Sequence, residues 1–328
     1  MTSLLEVENT RMRFQTKGFL KALIDRDSTP YIDAVCGVSL KIKTGETLAL
    51  VGESGSGKTT LGLSIIGLLK PFEGNIRFQG KEISGLSDTA FKKYRRNIAM
   101  MFQDPVGCLS PRLTIKSLLK QPFKIHSVQD RDLNEEVKRL LNMVGLPSHF
   151  EGRYPHQLSG GQARRVGVAR ACALGPSLII ADEPTAGLDV SVQGEVLNLM
   201  KQLQNDYKVS YLVITHNLSV VKHISHRIAV MYLGRFVEQG DTKEVFHHPR
   251  HPYTHALLSA NPKPDPDAPK DAIELKGDIP SVLNRPQGCE FHTRCPFVKD
   301  KCRIKAPTET VITPGHTITC HYPLERDL

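Results

Sequence analysis

No apolar run in this 328-residue chain approaches the roughly 18 residues that a membrane-spanning helix needs; candidates such as residues 228–233 are strand-sized. The chain is therefore expected not to cross a bilayer by itself. The opening stretch MTSLLEVENTRMRF has charges every few residues and lacks the apolar segment of a secretory signal, so the expected compartment is the cytosol. Thiols are kept reduced there, and the seven cysteines call for a role other than structural disulfides. No internal repeat is apparent. Apolar content is not lacking: 40% of residues are hydrophobic and 23% charged, enough to bury a core and to exclude wholesale disorder. This length has room for about two domains. The 43 basic and 34 acidic residues give a net charge of +9, which suits a phosphate-bearing ligand, an anionic membrane surface or nucleic acid without choosing among them.

Composition changes near residue 247. Upstream, residues 46–51 (ETLALV), 177–181 (SLIIA) and 209–214 (VSYLVI) have the character of short buried strands separated by helix-length amphipathic sequence. That alternation predicts an α/β domain with a mainly parallel sheet. Residues 86–170 are rich in helix formers and free of strong strand runs, which predicts a helical insertion between the first of those strands and the later two. Downstream come HHPRHPYTH and NPKPDPDAPKD; residues 261–270 hold four prolines, the signature of an extended linker. The division expected is 1–246 and 247–328.

Chemistry enters at Gly52–Thr59. GESGSGKT fits G-x-x-x-x-G-K-[ST] and lies between a strand-like and a helix-like run. Glycines at 52, 55 and 57, with Ser54 and Ser56, let successive N–H groups turn toward a phosphate chain. Lys58 can then reach the β/γ-phosphates and the Thr59 hydroxyl, beside Thr60, can ligate Mg²⁺. In SLIIADE a strand ends in two carboxylates: Asp182 is placed to hold Mg²⁺ through water and Glu183 to polarise an attacking water. LSGGQ, from Leu158, leads into a helix, so Ser159 and the amides of Gly160 and Gly161 make a second anion-binding surface. Charge runs such as KKYRR at 92–96 are expected to be solvated.

The ordered set of this phosphate loop, Gln103 in MMFQDP, LSGGQ, IIADEPTAGLD from Ile179 and His216 after VSYLVIT resembles the nucleotide-binding subunit of an ABC transporter. The resemblance implies a P-loop NTPase fold with a RecA-like core, an antiparallel β subdomain and a helical subdomain over about 86–170. In that family ATP is sandwiched between the phosphate loop of one subunit and the LSGGQ segment of another, so hydrolysis needs a dimer. Carried onto this chain, Lys58, Thr59, Gln103 and Asp182 serve phosphate and Mg²⁺, Glu183 is the general base and His216 contacts the γ-phosphate. Ser159, Gly161 and Gln162 complete the partner's site, and Asp189 sits at the subunit interface. Phe14 is the candidate to stack on adenine, with Tyr31 as the alternative because residues 15–30 interrupt the alignment. Two departures, Ala163 after LSGGQ and TAGLD in place of TSALD, touch only the partner contacts.

Cys36, Cys108 and Cys172 are scattered and expected to be buried. The remaining four, Cys289, Cys295, Cys302 and Cys320, are spaced C-x5-C-x6-C-x17-C, which points to a metal centre. The wide gaps favour an iron–sulfur cube over zinc, and Arg294, Lys299, Lys301 and Arg303 would offset its charge. His292, His316 and His321 keep Zn²⁺ as the alternative. HPYTHALLSANPKPDP and GCEFHTRCPFVKDKC resemble the C-terminal extension of the oligopeptide/dipeptide ATPases, some of which carry a [4Fe-4S] cluster; DPVGCLSPRLTI after Gln103 matches that subfamily too. The resemblance implies an energy-coupling ATPase of a peptide importer, peripheral on the cytoplasmic face of the membrane. Its expected partners are two permease subunits, a second ATPase subunit (a similar partner chain or a second copy) and, indirectly, an extracytoplasmic solute-binding protein. Nickel or glutathione import is the alternative. A soluble ABC ATPase acting on ribosomes or DNA would need tandem cassettes or a long coiled coil, which the chain lacks, so no nucleic-acid partner is expected.

Overall fold

Apolar runs without alternation become the interior of one sheet, and alternating runs become another. The computed structural model describes residues 3–16, 31–104, 107–260, 273, 275 and 277–325. The expected linker at 261–270 and residues 17–30 of the inserted stretch lie outside them. Along the chain run β1 (Ser3–Gln15), β2 (Tyr31–Lys43), β3 (Thr47–Val51), α1 (Lys58–Ile65), β4 (Glu73–Phe78), β5 (Lys81–Glu82), α2 (Asp88–Phe91) and β6 (Ile98–Met101). Then come α3 (Ile115–Ile125), α4 (Leu133–Met143), α5 (Gly160–Cys172), β7 (Leu178–Asp182), α6 (Val190–Tyr207), β8 (Ser210–Thr215) and α7 (Leu218–Ile224). The chain continues through β9 (Arg227–Tyr232), β10 (Arg235–Asp241), α8 (Thr242–His247), α9 (Pro252–Ser259), α10 (Asp300–Ile304), β11 (Thr310–Thr313) and β12 (His316–Ile318).

Every residue of β3, β7 and β8 is buried, as expected for parallel strands covered on both faces. They lie in an eight-stranded sheet of order β11-β12-β10-β9-β3-β8-β7-β6. Its centre is parallel, with Ala49 beside Val213 and Ile179 beside Tyr211. The β9–β10 hairpin turns it antiparallel, and β12 and β11 extend it from β10. Two elements from beyond residue 247 are thus strands of the main sheet. A second sheet, β2-β1-β4-β5, is antiparallel; along β2 buried and exposed residues alternate from Cys36 to Lys43.

The 86–170 region differs in one respect from the helical expectation: it carries β6, parallel to β7 at the sheet edge. Four residues, IAMM, are too short a run to stand out from helix formers. The helices that follow are set by capping and spacing. Thr114 and Asp132 cap α3 and α4, and Ile115, Leu118, Leu119 and Phe123 fall at i, i+3, i+4 and i+8, burying one face against Val137, Leu140 and Leu141.

Candidate active site

Buried β3 delivers the chain into the phosphate loop where no side chain fits. A Cβ on Gly52 (φ +155°) would lie 2.1 Å from the carbonyl oxygen of Met231, and one on Gly57 (φ +100°) 2.3 Å from that of Ala34. Only glycine lets the loop pass between β9 and β2. Lys58, at the start of α1, is 8% exposed, and its Nζ donates to the carbonyl oxygens of Gly52 and Glu53 (2.8 Å each) and to Ser56 Oγ (3.2 Å). Burial lowers its pKa, opposed by the nearby charges of Glu183, Asp182 and Glu53. Ser54 and Gly55 are exposed at the loop's tip; Thr60 is half-buried.

Two carboxylates meet this loop from the end of β7. Thr59 Oγ1 donates to Asp182 Oδ2 at 2.9 Å. Asp182 is 4% exposed, and burial pushes its pKa up while the Thr59 hydrogen bond pulls it down. Glu183 has left-handed backbone (φ +48°), a strained conformation for a residue with a Cβ. Its N–H donates to the carbonyl of Ile214, at the end of β8. Its Oε2 accepts from Thr215 Oγ1 (3.1 Å), while Oε1 accepts from the His216 N–H (3.2 Å) and lies 2.6 Å from His216 Nδ1. The imidazole of His216 is otherwise exposed.

The LSGGQ segment forms the start of α5. Ser159 and Gln162 cap each other: Ser159 Oγ accepts from the Gln162 N–H, and Gln162 Oε1 from the Ser159 N–H. Ser159 and Gly160 are exposed; Gly161 packs on Val192, where a Cβ would meet Cγ1 at 2.5 Å. Asp189 caps α6 through the Val192 N–H (2.9 Å) and also accepts from Ser191 Oγ (2.7 Å), bonds that hold its carboxyl below the usual range. Gln103 follows β6 and is exposed. Phe14 lies opposite Ile32 near the end of β1, half-buried against the core between the two sheets; Tyr31 is 50% exposed.

Arg164, 1% exposed, escapes sequence reasoning. Its guanidinium donates to the carbonyls of Gln103 (3.1 Å), Phe102 (3.4 Å) and Ala186 (3.0 Å), tying the LSGGQ helix to both the Gln103 loop and the TAGLD segment. The arginine following QA in GGQARR was its only signal.

The iron–sulfur expectation is overturned. Among the described residues no group of three or more His, Cys, Asp or Glu side chains is placed to hold a metal ion. Cys289, Cys295, Cys302 and Cys320 border a cavity of only about 10 Å³, room for one water at most. Burial raises the Cys289 thiol and pushes Cys295 up to about 11 and Cys320 to about 12. The zinc alternative fails on the same ground; His316 Nε2 pairs with Glu238 (2.8 Å), His321 Nε2 with the Lys305 carbonyl (2.7 Å) and His292 Nδ1 with the Cys289 carbonyl (2.8 Å). Nor does Arg294 serve the thiols; its guanidinium pairs with Glu53. Cys36 and Cys172 are buried as expected, whereas Cys108 is exposed, in the loop after β6.

Residues 35–186 match the ABC transporter family model and residues 237–302 that of the oligopeptide/dipeptide transporter C-terminal region. The chain is 50% identical over 294 residues to the oligopeptide transport ATP-binding protein AppF of Bacillus subtilis, covering 88% of this chain and 89% of that one. It is 44% identical over 323 residues to OppF of Escherichia coli, covering 97% and 95%. Among solved structures it superposes on the dimeric, post-hydrolysis ATP-binding cassette MJ0796 bound to ADP and Pi, with a TM-score of 0.64 and 29% identity over 73% of this chain and 98% of that chain. CbiO1 of Clostridium perfringens, part of the transporter complex CbiONQ, gives 0.63 and 29% over 75% and 91%. The chain belongs to the ABC transporter family of ATP-hydrolysing cassettes, in the branch of the oligopeptide transport ATP-binding proteins.

Proposed function

We propose that this chain is the energy-coupling subunit of an importer of di- or oligopeptides, paired with a second ATPase subunit beneath two membrane permease subunits. The observation that carries the reading is the convergence of Thr59, at the start of α1, on Asp182, and of Glu183 on His216, at the ends of β7 and β8. The phosphate loop and Lys58 bind the β/γ-phosphates. Thr59, Asp182 and Gln103 would hold Mg²⁺; a hydroxyl bonded to a carboxylate whose charge burial disfavours suits a hard divalent ion. When bound, Mg²⁺ offsets charge on the phosphate oxygens. Glu183 takes the proton of the attacking water. His216 fixes its Oε1, leaving Oε2, which has one hydroxyl donor, to receive the proton. His216 contacts the γ-phosphate, and half-buried Phe14 stacks on adenine. Ser159, Gly160, Gly161 and Gln162 close over the partner's nucleotide with the N-terminal end of α5, beside Asp189.

The permease docks where β6, α3 and α5 leave a groove of about 490 Å³, lined by Met100, Phe102, Leu109, Pro122 and Ile125 with Arg170 at hand. Phe102 and Ile125 are 41% and 58% exposed, large apolar side chains available to a partner. Among the described residues no helix is long and apolar enough to cross a membrane, so attachment runs through such partners. The test is reconstitution of the full chain with its permease subunits and solute-binding protein in lipid nanodiscs. Peptide should stimulate ATP hydrolysis; stimulation by nickel or glutathione but not by peptide would reject the assignment.

A further inference from the structure

The phosphate loop is gripped from outside the ATPase motifs. Glu53, its second residue, turns its polar groups in two directions. Its carbonyl oxygen accepts from Lys58 Nζ at 2.8 Å. Its other groups face residues beyond 247: the N–H donates to Tyr253 Oη at 3.0 Å, and the carboxylate meets Arg294 as a fork, Nη1 to Oε2 at 2.7 Å and Nη2 to Oε1 at 3.0 Å. The pair is sheltered, with the Arg294 side chain 7% exposed and Glu53 22%. Behind it the rings of Tyr232, Tyr253 and Phe291 pack with centroids 4.8–5.4 Å apart, so neither Tyr253 nor the segment before Arg294 can drift.

A second hold lies 3 residues along the loop. Arg285 donates to the carbonyl of Leu233 at 2.6 Å and to that of Asp33. The next residue, Gly234, donates its N–H to the carbonyl of Ser56 at 2.9 Å and accepts from the Cys36 N–H at 2.8 Å. Tyr253 and Arg294 thus meet Glu53 directly, whereas Arg285 reaches the loop one step removed, through the turn that bonds Ser56.

We infer that the C-terminal region positions the phosphate loop, and that Arg294 is the positioning residue through which it sets affinity for ATP. A sheltered two-bond fork fixes orientation as well as distance. Here it fixes the residue whose carbonyl holds the Lys58 ammonium. Rotation of the Glu53 peptide would displace Lys58 and the adjoining N–H groups together, so loosening the fork disperses the donors that phosphate must find preassembled. Arg294 acts on the loop through Glu53. The inference rests on residues 52–59 being the phosphate loop.

The test uses the full chain with Arg294→Gln, Arg294→Lys, Glu53→Gln and the Arg294→Gln/Glu53→Gln pair. Steady-state hydrolysis gives KM and kcat, ATP binding is measured in a Glu183→Gln background, and thermal melting is followed alongside. Arg294→Gln should raise KM and the ATP Kd about tenfold while kcat changes less than about twofold, the pattern of lost binding without lost chemistry. Arg294→Lys, keeping charge but not the fork, should recover only part of this. The paired variant should be no worse than either single one, because both remove the same contact. A lower melting temperature with KM unchanged would make the fork a mere clip and overturn the inference, as would independent, multiplying effects. Should Arg294→Gln not fold, Tyr253→Phe removes only the oxygen that accepts the Glu53 N–H; about a threefold rise in KM supports the inference and an unchanged KM refutes it. Lys58→Ala separates the premise: normal ATP binding there would reject the phosphate loop itself, whatever Arg294 does.

Discussion

Replacing Arg164 by Met removes one guanidinium from the place where the LSGGQ helix meets two loops, and the effect can be worked from its partners. Met keeps the volume of the apolar stem in a site that is 1% exposed, so little cavity forms. What goes are two well-formed charged hydrogen bonds, to Gln103 (3.1 Å) and Ala186 (3.0 Å), and a longer one to Phe102 (3.4 Å). Bonds of this kind contribute about 1.5–3 kcal/mol each, and the carbonyls left behind are unpaired. Relief of the buried cation, whose pKa burial already lowers, works in the opposite direction. The net loss expected is about 3 kcal/mol, or a Tm lower by roughly 4 °C. Thermal unfolding followed by circular dichroism measures the first effect and steady-state ATP hydrolysis the second, since the Gln103 and TAGLD loops lose their common tether. A Tm within about 1 °C of the parent chain would refute the reasoning, because the three contacts would then carry no net stability.

Glu183→Gln should lower kcat at least about a hundredfold while leaving ATP affinity within twofold; normal turnover would remove Glu183 from the base role. His251, fully buried, has its pKa driven down to about 4 by burial, with Glu238 opposing. Between pH 6.5 and about 4 the unfolded chain binds a proton there that the folded chain does not, so stability falls as pH falls through that window. Denaturant unfolding should show His251→Asn, which retains a side-chain acceptor for the Tyr253 N–H, with a flatter profile over the same range; an identical slope would contradict the assignment. With iodoacetamide at neutral pH, exposed Cys108 should be alkylated first in the native chain. Cys172, 6% exposed with its thiol pushed up to about 12, should react only on unfolding, as peptide mass analysis of timed samples would reveal.

What was legible in the sequence was local. ETLALV, SLIIA and VSYLVI are fully buried strands whose apolar runs lack alternation, and GESGSGKT states its own backbone requirements through Gly52 and Gly57. Asp182 and Glu183 stood out at a strand end and Thr59 in the phosphate-loop motif, while His216 entered only through the family resemblance; that Thr59 bonds Asp182 and His216 bonds Glu183 is visible only in the structure. Contacts between distant side chains left no such trace. Nothing in GESGS marks Glu53 as the partner of an arginine 241 residues away, and Arg294 looked like a counter-charge for its neighbour Cys295. Cysteine spacing proved a poor guide for the same reason: separation along the chain limits which thiols can meet, but burial and the packing of Phe291, Phe297 and Tyr322 decide what space lies between them. β6 was missed because four residues at a sheet edge gain their strand character from β7 beside them.

The placement of β12 against β10 also imposes an order on how the molecule is made. Gly52 to Thr59 emerge early from the ribosome, yet the residues that brace them and the strands that cover the edge of β10 emerge last. At about 5–20 residues per second, roughly 10–50 s separate Glu53 from Arg294 during synthesis. From the completion of β10 at Asp241 until β12 is made, the nascent sheet presents β10 as a bare edge, a template for stray strands. Premature termination after α9 would therefore release a chain with every ATPase motif intact and an open, association-prone flank.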